Sequence, residues 1–140
     1  MNVSVRMSEI VLIDTSVWVR YLRRGADPEI VRQVRGWLDA GHVAITEVIK
    51  LELLPASRTE AEFQRLSVTL DALHQLTPDD TTWSAAARNG FALRRAGVIV
   101  PTTDLLIATV AQQVGADLAH WDHHYELMAP HLALRTVSFL

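Results

Sequence analysis

Residues 10–16 read IVLIDTS, an apolar run that ends in an aspartate followed by two hydroxyl residues. An unbroken apolar run of this length is typical of a short strand buried on both faces of a parallel sheet. Asp14, Thr15 and Ser16 carry side chains that cap helix N-termini, so we expect a helix directly after the strand. This junction predicts the start of an α/β fold. Asp14 would lie beyond the carboxyl end of the strand, where such folds bind ligands.

The same alternation of strand and helix patterns continues along the chain. Further strands are predicted at residues 42–45, 75–77, 117–120 and 134–139. Helices are predicted at residues 17–24, 28–39, 46–54, 79–96, 104–114 and 123–128, and another begins at residue 59. This order predicts a short central parallel sheet with helices on both faces. We expect Thr102 and Thr103 to cap the helix at residue 104, and Pro130 to stop the helix that begins at His123.

Length and composition describe an ordinary globular chain. It has 140 residues, a formal net charge of −3 and no cysteine. We expect one domain over residues 1–140, with residues 1–8 as a flexible N-terminal extension. The charge excludes a protein that coats nucleic acid through global basicity, although a local basic groove stays open. The absence of thiols fits a cytoplasmic location, and no apolar run approaches the ~20 residues that span a bilayer, so no membrane partner is expected.

Four carboxylates stand beside apolar stretches of the sequence: Asp14, Glu52, Asp104 and Asp122. A buried ionised carboxylate is unfavourable unless it is paired, protonated or bound to a cation. On a helix, Glu52 would share the apolar stripe of Val48 and Ile49. Because few cations lie near these acids in the sequence, we expect one shared divalent metal, Mg²⁺ or Mn²⁺, both of which prefer oxygen ligands.

Each acid also has an ordinary structural explanation. Asp14 serves equally well as a helix N-cap, and Asp104 as an acid in the first turn of a helix. Asp122 fits a turn, and Glu52 fits a helix face that bends out to solvent. These alternatives stay open for each residue taken alone. Four independent structural roles, however, explain poorly why all four acids lie beside apolar stretches of one chain.

Four segments, taken in order, resemble a PIN domain and, more narrowly, the VapC toxins of bacterial toxin–antitoxin pairs. The segments are IDTSVW at 13–18, ELL at 52–54, TDLLIA at 103–108 and WDHHY at 121–125. The resemblance implies a metal-dependent endoribonuclease that cuts single-stranded RNA. It carries Asp14, Glu52, Asp104 and Asp122 over as the catalytic, metal-binding acids. Two departures are Pro55, after the glutamate segment, and the doublet His123-His124.

The resemblance also implies supporting residues and partners. Thr15, Ser16 and Thr103 match polar positions beside the acids and would support the metal ligands. A cognate antitoxin is expected, with an arginine that enters the acidic crevice, and a homodimer is favoured. The apolar surface for the antitoxin is expected on the first helices, at Val17, Trp18 and Tyr21.

Two other classes of protein remain as alternatives. One is a small phosphatase or a His/Asp metallohydrolase, in which Asp122 would bind a metal together with His120, His123 and His124. We favour a buried strand histidine at His120 and solvated histidines at the start of the helix, and Ser16 breaks the Asp-x-Asp pattern of phosphatases. The other is a PIN-fold binding module without catalysis, against which the presence of all four acids argues.

Cationic and aromatic residues for RNA binding are less distinctive. Arginines cluster near the end of the first helix and on the long helix, at Arg20, Arg23, Arg24, Arg88, Arg94 and Arg95. Most of them are expected on solvated helix faces. Trp18, Trp83 and Trp121 are able to stack on bases, but their spacing is more typical of core residues.

Overall fold

A parallel sheet of five short strands forms the centre of the computed structural model, which describes residues 9–140. The strands are β1 (Val11–Ile13), β2 (Val43–Ile45), β3 (His74–Gln75), β4 (Asp117–His120) and β5 (Thr136–Ser138). Their order in the sheet is β3-β2-β1-β4-β5, and every neighbouring pair is parallel. The α/β prediction is therefore confirmed, whereas the expected extension at residues 1–8 lies outside the described residues.

Seven helices accompany the sheet within residues 9–140. They are α1 (Thr15–Leu22), α2 (Pro28–Asp39), α3 (Glu47–Leu53), α4 (Glu60–Asp71), α5 (Asp80–Arg95), α6 (Thr102–Val114) and α7 (His123–Leu132). A short 3-10 helix at Leu54–Ala56 follows α3, so Pro55 ends the regular helix as its chemistry predicts. None of these helices is both long and apolar enough to cross a membrane.

The core is continuous around β1, the middle strand. All residues of β1 and β2 are buried, as expected for strands covered on both faces. Helix α6 buries six consecutive residues from Leu106 to Ala111, so it too is enclosed by neighbouring elements. Trp18 and Tyr125 are among the largest fully buried side chains, and they bring α1 and α7 into the core.

Helix α7 continues past the point where the sequence predicts its end. Pro130 lies inside the helix, which runs on to Leu132. Proline lacks the N–H of the regular helix bond, but the burial of Met128 and Leu132 holds the last turn in place. The helix closes at Ala133, whose φ is 51° and whose N–H donates to Ala129 O. Stopping the helix before Pro130 is therefore wrong, because core packing outweighs the lost hydrogen bond.

The start of α6 and the edge strands also differ from expectation. Pro101 is the N-cap residue of α6, so Thr102 and Thr103 lie inside the first turn and do not cap it. The edge strands β3 and β5 are shorter than the predicted segments 75–77 and 134–139. Each pairs with a strand on one side only, so its length follows the overlap with that neighbour.

The tryptophans divide between core and surface. Trp18 is buried, as its spacing predicts, but Trp83 on α5 is 56% exposed, so a core position for Trp83 is wrong. Helical periodicity gives the angular spacing of side chains but does not reveal which face of a helix meets the sheet. Here α5 buries Thr82, Ala86 and Leu93 instead.

Candidate active site

Asp14 lies at the carboxyl end of β1 and is 4% exposed. It is the N-cap of α1, and its Oδ2 accepts hydrogen bonds from Ser16 N at 3.0 Å and Ser16 Oγ at 2.6 Å. Its Oδ1 accepts a hydrogen bond from the Tyr125 hydroxyl at 2.6 Å. Both carboxylate oxygens thus have donors, and these fix the orientation of the group.

Asp104 and Asp122 reach the same edge of the sheet from other elements. Asp122 follows β4, which pairs with β1 in parallel, so the carboxyl ends of both strands lie side by side. Asp104 lies in the first turn of α6. The Nδ1 atom of His124 is 3.1 Å from Asp104 Oδ2 and 3.0 Å from Asp122 Oδ1, so this imidazole bridges the two carboxylates.

Tyr125 connects Asp104 to Asp14. Its hydroxyl is 3.5 Å from Asp104 Oδ1 and 2.6 Å from Asp14 Oδ1. Burial, followed by the charges of Asp14 and Asp104, raises the pKa of Tyr125 far above its ordinary value, so the phenol stays protonated. Three of the four predicted acids are therefore joined through two shared partners.

The acids also influence one another electrostatically. The pKa of Asp104 is raised to about 6, first by burial and then by the charges of Asp122 and Asp14, against the opposing effect of His124. Burial and the neighbouring carboxylates together make the ionised form of Asp104 unfavourable while no cation is bound. A hard divalent cation would supply the missing charge, so this set of oxygen donors fits Mg²⁺ or Mn²⁺.

Glu52 differs from the other acids. It is exposed, and α3 instead buries Ile49 and Leu53, so the expectation that Glu52 lies within an apolar stripe is wrong. A position three residues beyond Ile49 is near the edge of a helical face, and here it falls on the solvent side. The Thr15 hydroxyl donates to Glu52 Oε1 at 2.9 Å. Glu52 is therefore linked to the site through the residue that follows Asp14.

The three predicted supporting residues have different surroundings. Thr15 contacts Glu52, and Ser16 contacts Asp14. The Ser16 hydroxyl also accepts the backbone N–H of Trp121 at 2.9 Å, which ties α1 to the end of β4. Thr103 is exposed, and within residues 9–140 no side-chain hydrogen bond joins it to an acid. Its supporting role stays a prediction.

The histidines separate into three environments. His120 is fully buried; its Nδ1 accepts the Asp122 N–H at 3.1 Å, so its Nε2 carries the proton donated to Glu126 at 2.7 Å. The side chain of His123 is 72% exposed. His124 is only 28% exposed and lies between two carboxylates, so the expectation of a solvated histidine is wrong there. Ligand atoms of Asp122, His123 and His124 lie within 4.8 Å of one another, close enough to share an ion.

The sequence offered His124 only as a ligand in the alternative metallohydrolase site, and it gave Tyr125 no role. Both follow the N-cap Asp122, in the first turn of α7. The sequence predicted a helix from His123 but assigned Asp122 to a turn, whereas the structure makes Asp122 the N-cap and so places the next residues near the carboxyl end of β4. Which acids they would meet depended on the unknown position of α6.

Comparison with known protein families identifies the family of this chain. The model of the PIN domain family matches residues 11–129. The chain belongs to the PIN domain family.

Two curated relatives are VapC ribonucleases. The chain is 34% identical to Ribonuclease VapC11 of Mycobacterium tuberculosis over 134 residues, which cover 93% of this chain and 99% of that protein. It is also 34% identical to Ribonuclease VapC51 of the same species over 121 residues, with 84% of each chain covered.

Solved structures support the fold. VapBC2 from Rickettsia felis, bound to a DNA fragment from the promoter, matches with a TM-score of 0.75 at 19% identity, covering 94% of this chain and 99% of that one. DNA-bound VapBC from Salmonella typhimurium matches with a TM-score of 0.73 at 20% identity, covering 94% and 98%.

Proposed function

We propose that this chain is a metal-dependent endoribonuclease that cuts single-stranded RNA, and the toxin of a type II toxin–antitoxin pair. The observation that carries the proposal is the meeting of Asp14, Asp104 and Asp122 beyond the carboxyl ends of β1 and β4. In the α/β class this edge of the sheet binds ligands. Its relatives are named ribonucleases, and its structural neighbours include a member of the VapBC family of toxin–antitoxin systems and a toxin–antitoxin complex.

The acids would hold Mg²⁺ or Mn²⁺, with Asp14, Asp104 and Asp122 as ligands and Glu52 completing the set. The bound ion would activate water and neutralise charge on the phosphate oxygens. Ser16 and Tyr125 orient the carboxylate of Asp14, and Thr15 orients that of Glu52. The raised pKa of Asp104, caused by burial and then by the charges of Asp122 and Asp14, supports a cation at this place.

A cognate antitoxin would inhibit the enzyme by placing an arginine against the acids. The expectation that Val17 and Trp18 form the docking surface for the antitoxin is wrong, because both side chains are buried in the core. The exposed apolar side chains of α1 and α3 are Val19, Leu22 and Leu51, and they would serve instead. The proposal also includes a homodimer and a single domain over the whole chain. It places the activity in the cytoplasm, where the RNA substrate is found.

The decisive experiment incubates the purified chain with labelled single-stranded RNA in Mg²⁺ or Mn²⁺, with a parallel reaction in EDTA. We expect cleavage only with the metal, and loss of cleavage in Asp104→Asn. The cleavage rate of Glu52→Gln is compared with that of Glu47→Gln. Both residues are exposed glutamates on α3, and only Glu52 contacts Thr15. Cleavage that survives thorough chelation would exclude the metal mechanism.

A His/Asp metallohydrolase remains a second candidate because Asp122, His123 and His124 are close enough to share an ion. Hydrolysis of a small phosphomonoester with Zn²⁺, in a preparation that leaves RNA intact, would favour it. Family membership favours the ribonuclease.

A further inference from the structure

An arginine and a tryptophan from distant parts of the chain meet beside the acidic cluster. The Arg20 guanidinium carbon lies 4.5 Å from the centre of the Trp121 ring. Arg20 is on α1, and Trp121 lies between the end of β4 and Asp122. The Arg20 Nη1 atom also donates to Ser16 O at 2.7 Å, which fixes the guanidinium over the ring.

Ser16 connects this pair to the acids. Its hydroxyl accepts the Trp121 N–H at 2.9 Å and donates to Asp14 Oδ2 at 2.6 Å. Trp121 directly precedes Asp122 in the chain. The cation and the ring are therefore attached at one end to Asp14 and at the other to Asp122, at the rim of the candidate active site.

No carboxylate forms an ion pair with Arg20 within residues 9–140. A guanidinium group that can reach an aspartate favours a bidentate ion pair with it. The ring and the Ser16 carbonyl hold it in another place, which leaves the acids available to a cation. The remaining guanidinium N–H groups are available to an anion, and Trp121 is only half-buried.

We propose that Arg20, held in place over the Trp121 ring, forms a subsite that binds a phosphate of single-stranded RNA next to the cutting site. The inference rests on the proposed ribonuclease function. Guanidinium groups match phosphate oxygens bidentately. The face of the half-buried Trp121 ring carries Arg20 and holds its guanidinium in place. The subsite holds the strand at the rim, where the acids themselves repel its phosphates.

The opposing explanation is a cation–π contact that only secures α1 against β4. Such a contact predicts a loss of stability on mutation but no change in how RNA binding responds to salt. A phosphate contact predicts such a change, because each neutralised phosphate of a single strand contributes a slope of about 0.7 to the logarithmic salt dependence.

The test measures binding of a fluorescein-labelled single-stranded RNA by anisotropy in EDTA, over a series of salt concentrations. The variants are Arg20→Ala, Arg20→Gln, Arg20→Lys and Trp121→Leu. The control is Arg35→Ala, which removes the same charge from an exposed position toward the end of α2 that leads into β2. Arg20→Gln keeps a donor for Ser16 O, and it replaces Arg20→Ala if the alanine variant melts early.

We expect Arg20→Ala and Arg20→Gln to weaken RNA binding about tenfold, as for one charge-assisted contact, and to reduce the salt slope by about 0.7. Arg20→Lys keeps the slope and loses affinity, because an ammonium cannot reproduce the planar fork. Trp121→Leu keeps the slope and loses affinity, because the guanidinium stays charged but loses the ring that holds it in place. Arg35→Ala binds like the parent chain.

The subsite is wrong if the Arg20 variants keep the parent salt slope, if Arg35→Ala has the same effect, or if the parent chain binds RNA no better than they do. Because binding is measured without metal, these outcomes differ from failure of the proposed function. A parent chain that binds RNA through Arg20 but never cuts it would overturn the ribonuclease and leave the subsite standing.

Discussion

The Tyr125 hydroxyl donates a 2.6 Å hydrogen bond to Asp14 Oδ1 across 111 positions of sequence. It joins the first turn of α7 to the carboxyl end of β1, and both residues are buried. Burial, followed by the charges of Asp14 and Asp104, holds the pKa of Tyr125 far above its usual range, so the phenol remains a donor at any physiological pH. Asp14 is therefore held in one orientation before any ligand arrives.

Tyr125→Phe removes this donor without changing the shape of the core. We expect a loss of about 1.5–3 kcal/mol in the free energy of unfolding, because a buried carboxylate loses a charged hydrogen bond. Denaturant unfolding at pH 7 measures it. Tyr21→Phe is the control, since Tyr21 is half-buried and packs edge-on against Trp18. Equal stability of both variants would mean that the Tyr125 bond has no net value.

Asp104→Asn is expected to stabilise the metal-free protein in a pH-dependent way. The folded-state pKa of Asp104 is about 6, above its ordinary value of 3.8, so the folded state binds more protons between these values. Metal-free stability of the parent chain therefore falls as pH rises from about 4 to about 6, and this penalty persists above. The gain in Tm from Asp104→Asn should be small at pH 4 and largest at pH 7.

Saturating Mg²⁺ provides the control for that experiment. A bound cation would offset both the burial of Asp104 and the charges of Asp122 and Asp14 that raise its pKa, so the parent chain should gain stability that the variant lacks. A Tm difference that is the same at pH 4 and pH 7 would show that Asp104 ionises without interference from its neighbours.

Thr15→Val is expected to weaken Mg²⁺ binding at least tenfold, the usual effect of removing a hydrogen bond to a metal ligand. The Thr15 hydroxyl holds Glu52 at 2.9 Å, and an exposed glutamate without this bond samples many rotamers. Isothermal titration calorimetry measures the affinity. Thr15→Ser keeps the hydroxyl and should bind like the parent chain, whereas unchanged affinity in Thr15→Val would remove Glu52 from the metal site.

His124→Ala is expected to tighten Mg²⁺ binding. Its Nδ1 atom lies between Asp104 and Asp122, so a cation that contacts both carboxylates must first displace the imidazole. His123→Ala is the control, because that side chain is exposed and should leave the affinity unchanged. If His124→Ala instead lowered the Mg²⁺ affinity more than about tenfold, the imidazole would be identified as a metal ligand, and the metallohydrolase would be favoured.

Local chemistry was enough to locate most of the elements. The apolar run at 10–13 predicted β1, and Asp14, Asp79 and Thr59 were correctly placed at helix starts because capping involves only neighbouring residues. Alternation of strands and helices predicted the parallel sheet. Pro130 was misjudged since its local effect competes with the burial of Leu132, which no local pattern reveals.

The sequence by itself determined which residues are candidates for the chemistry: Asp14, Glu52, Asp104 and Asp122, with the hydroxyls of Thr15 and Ser16 beside the first of them. Only the tertiary structure decided their relations. It placed Glu52 in solvent, His124 between Asp104 and Asp122, and Arg20 over Trp121. Caps and periodicity act over a few residues, whereas these contacts depend on strand order and on the face each helix turns to the sheet, which packing of the whole core decides.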